Sequence, residues 1–209
     1  MPTQAHDPAC FTDKQLRLIW ATYKLCSEKG LLDLSLQSVA DEAGVSKGIV
    51  LYYFKSKEEL IHATMRWVLG RVAERIRNAV ARAKAPKRKI AAMIDAIFVE
   101  AEANRRFYLT YLDLIGLAAR NEKFAHLTAD VRAIEEGLYA EIIKQGTEQR
   151  AFHVRNIAEA ATVVRATIDG LFIAWLQEAD WQASHRRYRR LCKEAVLAYL
   201  DASNRAENE

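Results

Sequence analysis

Three lysines, Lys47, Lys55 and Lys57, fall between Ala43 and Lys57 with no acidic residue among them. Ser46, Gly48 and Tyr52 stand in the same stretch. A hydroxyl, ammonium groups and the free amides of a helix start are the groups that hold phosphate oxygens and reach base edges. Gly48 has no side chain and permits close backbone approach. Lys55 lies in a loop and Lys57 on the first turn of the next helix, where each can meet a phosphate. The chemistry implied is recognition of a polyanion.

Those residues need a frame that points them outward, and the run from Val39 to Tyr53 supplies one. Two short helices pack at a steep angle when a small residue sits at their crossing, a glycine makes the turn and apolar residues fill the angle. Ala40 is the small residue, Gly44 the turn, and Val39, Ala43, Val45, Val50 and Tyr53 the filling. That spacing is a helix-turn-helix, whose second helix enters the major groove. The reading helix is expected over about Ser46 to Phe54, with Tyr52 facing away from the filling residues. The plainer alternative is two core helices joined by a glycine turn.

The rest of the 209 residues reads as helical. Half of them are apolar, with three prolines and eight glycines, fewer turn residues than a sheet protein needs. Residues 1–12 lack periodicity and read as a loose arm. Thr12 or Asp13 caps a helix that runs to about Lys29, where Gly30 stops it. Ser35 and Ser46 precede two short helices. Ser56, with Glu59 three residues on, forms a capping box for a long helix over about 57–83. Beyond Pro86, apolar periodicity marks helices carrying Ile90 to Phe98 and Phe107 to Ala118, then 127–149, 155–179 and 184–202, the last capped by Ser184. The fold class expected is all-α, with about nine helices. Its domains are the arm at 1–12, a helix-turn-helix domain at 13–56, and an effector-binding and dimerisation domain at 57–209 that begins with the connecting helix.

The stretches RLIWATYKLCSEKGLLDLSLQSVADEA and GVSKGIVLYYFKSKEEL resemble the N-terminal domain of TetR-family transcriptional repressors. The resemblance is dense over residues 13–66 and extends in architecture to the whole chain. It implies a homodimer that blocks transcription at a pseudo-palindromic double-stranded DNA operator and is released by a small-molecule effector. It also implies that Ser46, Lys47, Gly48, Tyr52 and Tyr53 lie at or near DNA and that Lys57 contacts phosphate. Leu51 stands where the family usually has tyrosine. Gly-Ile-Val before it and Tyr-Phe after it, with Ala63 to Arg66 and Ile168 to Leu171, are similar to the choline-responsive BetI-type branch.

Such a repressor needs a two-fold interface and a second site. Ile157, Ala161, Val164, Ile168, Leu171 and Trp175 follow alternating spacings of four and three, and Tyr188, Cys192, Ala195 and Tyr199 repeat the seam. These nine, Trp175 apart, are the expected dimer surface, although an intrachain core explains the same spacing. Candidate walls of an effector pocket are Trp67, Met93, Ile97, Phe107, Tyr108, Tyr111, Ile115, Leu138, Phe172 and Trp175, which as aromatic and aliphatic stripes are equally consistent with plain core. Glu100, Asp113 and Asp169 would favour a cationic effector if buried among the aromatics; a neutral apolar one is equally compatible.

The rival classes are an enzyme and a helical interaction module without DNA binding. No Gly-x-Ser-x-Gly elbow, phosphate-cradling glycine loop, His-Glu-x-x-His or Cys-x-x-Cys occurs, so no catalytic residue, metal or cofactor is expected. The three cysteines make no disulfide framework, no apolar run reaches the roughly 18–20 residues of a membrane span, and no signal peptide is visible. The expected location is cytoplasmic. A basic run from Arg66 to Lys89 contains the single acid Glu74 and reads as a solvated helix face.

Overall fold

The computed structural model describes residues 11–202, apart from the side chains of Lys123, His126, Leu127 and Val131. Residues 1–10 of the expected arm lie outside them. The described residues form nine α-helices and no strand: α1 (Asp13–Lys29), α2 (Leu36–Ala43), α3 (Lys47–Tyr53), α4 (Lys57–Ala81), α5 (Pro86–Ile97), α6 (Ala101–Arg120), α7 (Glu122–Glu148), α8 (Ile157–Leu176) and α9 (Trp181–Ala202).

The starts are set by side-chain caps. Thr12 accepts from the Gln15 amide while the Gln15 side chain reaches back to Thr12, a reciprocal capping box. Ser35 and Ser38 do the same for α2. Ser56 Oγ accepts from Glu59 N at 3.0 Å, but the Glu59 carboxylate turns one residue further back, to Lys55 N at 2.9 Å. Pro86 opens α5 at the position where its missing N–H costs nothing. Several boundaries differ from expectation, α4 ending at Ala81 and α8 spanning Ile157–Leu176. The helix expected from 127 begins at Glu122, and the last helix is capped by Asp180, whose Oδ1 accepts from Ala183 N at 3.0 Å, so that Ser184 lies within the first turn.

The chain divides into two compact units, and α4, α6 and α7 each run from one into the other. The first comprises the described residues up to Arg71 together with Arg106–Val131. Its core includes Leu18, Ile19, Leu25, Val39, Ala40, Val50, Phe54, Leu60, Ile61 and Leu114. The second comprises Val72–Arg105 and the described residues from Arg132 onward. There α9 packs on α8 and α5. Phe98 stacks on Phe172 with centroids 4.1 Å apart, and Trp175 meets Phe172, Trp181 and His185 edge to face. Inside that aromatic cluster His185 Nε2 donates to Asn104 Oδ1 at 2.9 Å, and Asn104 Nδ2 donates to Ile97 O. Burial, with the Arg189 charge adding to it, holds the His185 imidazole below its ordinary pKa. No helix among the described residues is long and apolar enough to cross a membrane.

Candidate nucleic-acid interface

The turn before α3 is built on Gly44. Its φ of 65° and ψ of 41° lie in the left-handed region that glycine adopts without a Cβ penalty. The Val45 amide donates back to Ala40 O at 2.9 Å and the Gly44 amide to Asp41 O at 3.2 Å, the paired bonds of a Schellman motif. Ala40 is fully buried at the crossing, as are Val39, Ala43 and Val50. Ser46 then caps α3, its Oγ accepting from Ile49 N at 3.4 Å.

With Val50 and Phe54 anchoring α3 inward, its other residues are presented outward. Ser46, Lys47, Gly48 and Lys55 are exposed, and Tyr52 is 80% exposed. Tyr53 is half-buried, its ring edge-on to Tyr52 at 5.1 Å. Lys57 is also partly covered, its Nζ reaching Leu32 O at 3.5 Å. The seven expected DNA-facing residues are therefore the N-cap of α3, Ser46, four residues on the helix itself, and Lys55 and Lys57 within the four residues after it. Two side chains not in that set accompany them: Ile49 and Leu51 are 41% and 40% exposed on the same short helix. In the sequence Leu51 stands next to Tyr52 and departs from the family pattern, whereas Ile49 reads as an apolar core residue and carries no outward signal.

The loop before α2 is tied from α6. Gly30, at φ 85°, closes α1, and the next amide, Leu31 N, donates to Asp113 Oδ2 at 3.0 Å. Asp113 is thus occupied with backbone, Glu100 is exposed, and Asp169 pairs with Arg165 at 3.0 Å. None of the three is an acid buried among aromatics. Cys26, close to Asp113 and Lys57, has its thiol pushed up to about 12, mainly by burial, and is inert at neutral pH.

The basic run from Arg66 to Lys89 is largely a solvated face with several paired members. Arg75 Nε donates to Ala96 O, Lys87 pairs with Asp201 and Lys89 reaches Gln145.

The effector-pocket candidates divide between the units. Trp67, Phe107, Tyr108, Tyr111 and Ile115 belong to the first, and Met93, Ile97, Leu138, Phe172 and Trp175 to the second. Tyr108, Tyr111, Met93, Ile97, Leu138, Phe172 and Trp175 are buried, Trp67 and Phe107 half-buried, and Ile115 exposed. Sequence reasoning missed Glu135. Its Oε2 is closed off from solvent without a hydrogen-bond partner. Burial first, then the carboxylates of Asp169 and Glu136 against the opposing Arg165 charge, push its carboxyl up to about 8.

The expected dimer seam points inward. Ala161, Val164, Ile168, Tyr188 and Cys192 are buried within the second unit, where α8 packs on α9. Spacing of three and four located the buried stripe, and the chain's own helices cover it. Ile157, Leu171 and Tyr199 are half-buried, and Ala195 is exposed. The open apolar face of the pair holds Val163, Ala166, Gly170 and Ile173 on α8, and Leu191, Ala195 and Ala198 on α9.

Residues 18–64 match the model of bacterial regulatory proteins of the tetR family, and residues 86–201 that of the BetI-type transcriptional repressor C-terminal domain. The chain is 32% identical over 168 residues to the HTH-type transcriptional regulator BetI of Burkholderia cenocepacia, covering 79% of this chain and 82% of that protein. In fold it is similar to a transcriptional regulator from Pseudomonas aeruginosa, at TM-score 0.76 and 22% identity over 96% of this chain and 97% of that one. It is also similar to a regulator from Saccharomonospora viridis solved in complex with choline, at TM-score 0.75 and 20% identity over 87% and 94% of the two chains.

Proposed function

The chain belongs to the TetR family of bacterial transcriptional regulators and is a ligand-responsive DNA-binding repressor, and we propose that it holds a pseudo-palindromic operator as a homodimer, in the cytoplasm, through α3. The observation that carries this reading is the outward set Ser46, Lys47, Gly48 and Tyr52 on a short helix whose angle Gly44 and Ser46 fix. Ser46 and the first amides of α3 suit a phosphate, Lys47 and Tyr52 reach base edges, and Lys55 and Lys57 hold the backbone beyond. Ile49 and Leu51 add apolar contact of the kind a thymine methyl accepts. In a gel shift against the chain's own upstream region, Lys57→Ala weakens all DNA about equally and lowers the salt slope by about 1. Tyr52→Ala instead changes operator preference and leaves the melting temperature unchanged, since its ring is solvated. An unaltered salt slope for Lys57→Ala removes the phosphate role.

Half-sites one helical turn apart, about 34 Å, call for two reading heads on a two-fold axis. The open face of Val163, Ala166, Gly170 and Ile173 with Leu191, Ala195 and Ala198 is the surface we assign to the partner protomer, with Ile157, Leu171 and Tyr199 at its margin. Release follows when effector binding moves α4 and spreads the heads out of register. The Asp113 carboxylate on α6, bonded to Leu31 N, is a direct link from a helix shared by both units to the loop before α2.

For the effector, the second unit offers a closed-off carboxylate oxygen on Glu135. An organic cation meeting it would ionise the acid and release a proton, consistent with the BetI-type domain and with the choline bound by the Saccharomonospora viridis relative. Calorimetry with choline at pH 7, repeated in buffers of different ionisation enthalpy, is expected to show a buffer-dependent heat that corresponds to proton release. Binding without proton release removes Glu135 from the site, and no binding together with release of DNA by a neutral apolar compound favours the alternative effector class.

A further inference from the structure

We propose that a cleft on the first unit, formed by α1, the end of α2 and Arg106 of α6, binds a small organic anion with a flat apolar body, an aryl carboxylate. The cleft has a volume of about 350 Å³ and is lined by Arg17, Trp20, Tyr23, Lys24, Glu42 and Arg106 among others. That volume is within the range of pockets that enclose small ligands. None of the residues assigned to DNA, and none of the ten effector candidates, lines it.

Its charge is uncompensated. Lys24 is satisfied by Glu42, with Nζ 2.7 Å from Oε1, and the pair cancels. Arg17 and Arg106 are exposed, and among the described residues neither guanidinium has a hydrogen-bond or ion-pair partner. Two planar forks with no acid partner of their own, in a cleft whose one acid, Glu42, is taken by Lys24, fit a carboxylate, which takes bidentate bonds from such groups. Arg17 also reaches toward the turn, since a Cβ on Gly44 would lie 3.5 Å from its Nη2.

Beside them is an aromatic surface that the fold leaves wet. Trp20 is 55% exposed although it sits mid-helix on α1. Its ring is held in place by edge-to-face contacts, with Trp67 at 4.9 Å and Tyr23 at 6.5 Å. A rigid indole that is already oriented loses little entropy when a second flat ring covers it. A duplex backbone is the other anion to consider. It would run along a ridge of cations, whereas these groups face a concavity that also holds Glu42, and Lys47 and Lys55 lie outside it. A carboxylate of small size satisfies the two arginines and the indole together.

The test is calorimetric titration of the full chain with indole-3-acetate and with the uncharged indole-3-acetamide. Expected is saturable binding of indole-3-acetate, one per chain, with the amide about tenfold weaker or worse. Arg17→Gln combined with Arg106→Gln weakens indole-3-acetate by about tenfold or more, and Trp20→Ala does the same, while the arginine pair leaves the melting curve unchanged. The proposal is overturned by absence of saturable binding, by equal affinity for acid and amide, or by unchanged affinity in the double variant. If the double variant instead lowers the salt slope of DNA binding by about 2 with no effect on indole-3-acetate, the arginines are phosphate contacts.

Discussion

At Glu135 the fold holds a proton that the unfolded chain would give up. Its carboxyl moves from the ordinary 4.5 to about 8, through burial and the carboxylates of Asp169 and Glu136, with Arg165 opposing. Between those two values the folded state binds more protons than the unfolded one, so this group's contribution to stability falls as pH rises through the window. Below about 4.5 both states are protonated and the penalty is absent. Glu135→Gln fixes the neutral form. Its melting temperature should match that of the parent near pH 5 and exceed it at pH 9 by roughly 4–8 °C, the shift that about 2 kcal/mol produces in a chain of this size. Parallel melting profiles from pH 5 to 9 would show that water reaches the carboxylate and keeps it ionised. Nothing in the sequence singled this residue out, because a glutamate on a helix with Glu136 beside it reads as solvated. The Asp169 and Arg165 charges that act on it come from α8, distant in the chain, whereas the roles of Ser46, Lys47 and Gly44 are written in their immediate neighbours.

At the scale of the helix, Gly44 sets the angle on which α3 is presented. A Cβ there meets only Arg17 Nη2 at ordinary contact distance, so the cost of Gly44→Ala is conformational: about 1–2 kcal/mol for a non-glycine residue in the left-handed region. The expected outcome is a fall of roughly 2–8 °C in melting temperature, together with a loss of operator affinity larger than that fall explains, because the reading helix changes angle. Unchanged affinity after correcting for the folded fraction would mean that the turn is not what orients α3. This part of the structure was legible in the sequence. Caps at Thr12, Ser35, Ser46 and Ser56 and stops at Gly30 and Gly44 act through bonds within three or four residues. The start of α9 was not, since Asp180 and Ser184 are both good caps and the choice between them falls to Trp181, whose carbonyl accepts from Trp175 Nε1 at 2.6 Å.

In the whole molecule, the same limit governs the dimer face. Periodic spacing identifies which stripe of a helix is buried, and on α8 and α9 that stripe packs within the chain, as Val164, Ile168 and Cys192 do at 1% exposure or less. The face assigned to the partner is made largely of small residues, Ala166, Gly170, Ala195 and Ala198, which let helices approach closely but give almost no hydrophobic signal in a sequence. A Cβ on Gly170 would meet nothing within 4 Å, so the surface there is open to a second helix. Ile173, 41% exposed at one end of this stripe, is the residue to change. Ile173→Arg leaves the protomer folded, because the side chain is already solvated, and puts two like charges near the proposed two-fold axis. Sedimentation should then give a mass near the 23.8 kDa of one chain where the parent gives twice that, and operator affinity should collapse without change in the helical spectrum. Leu191→Arg on α9 should act in the same way. A variant that still sediments as a dimer and still binds its operator would place the two-fold contact on another face of the second unit.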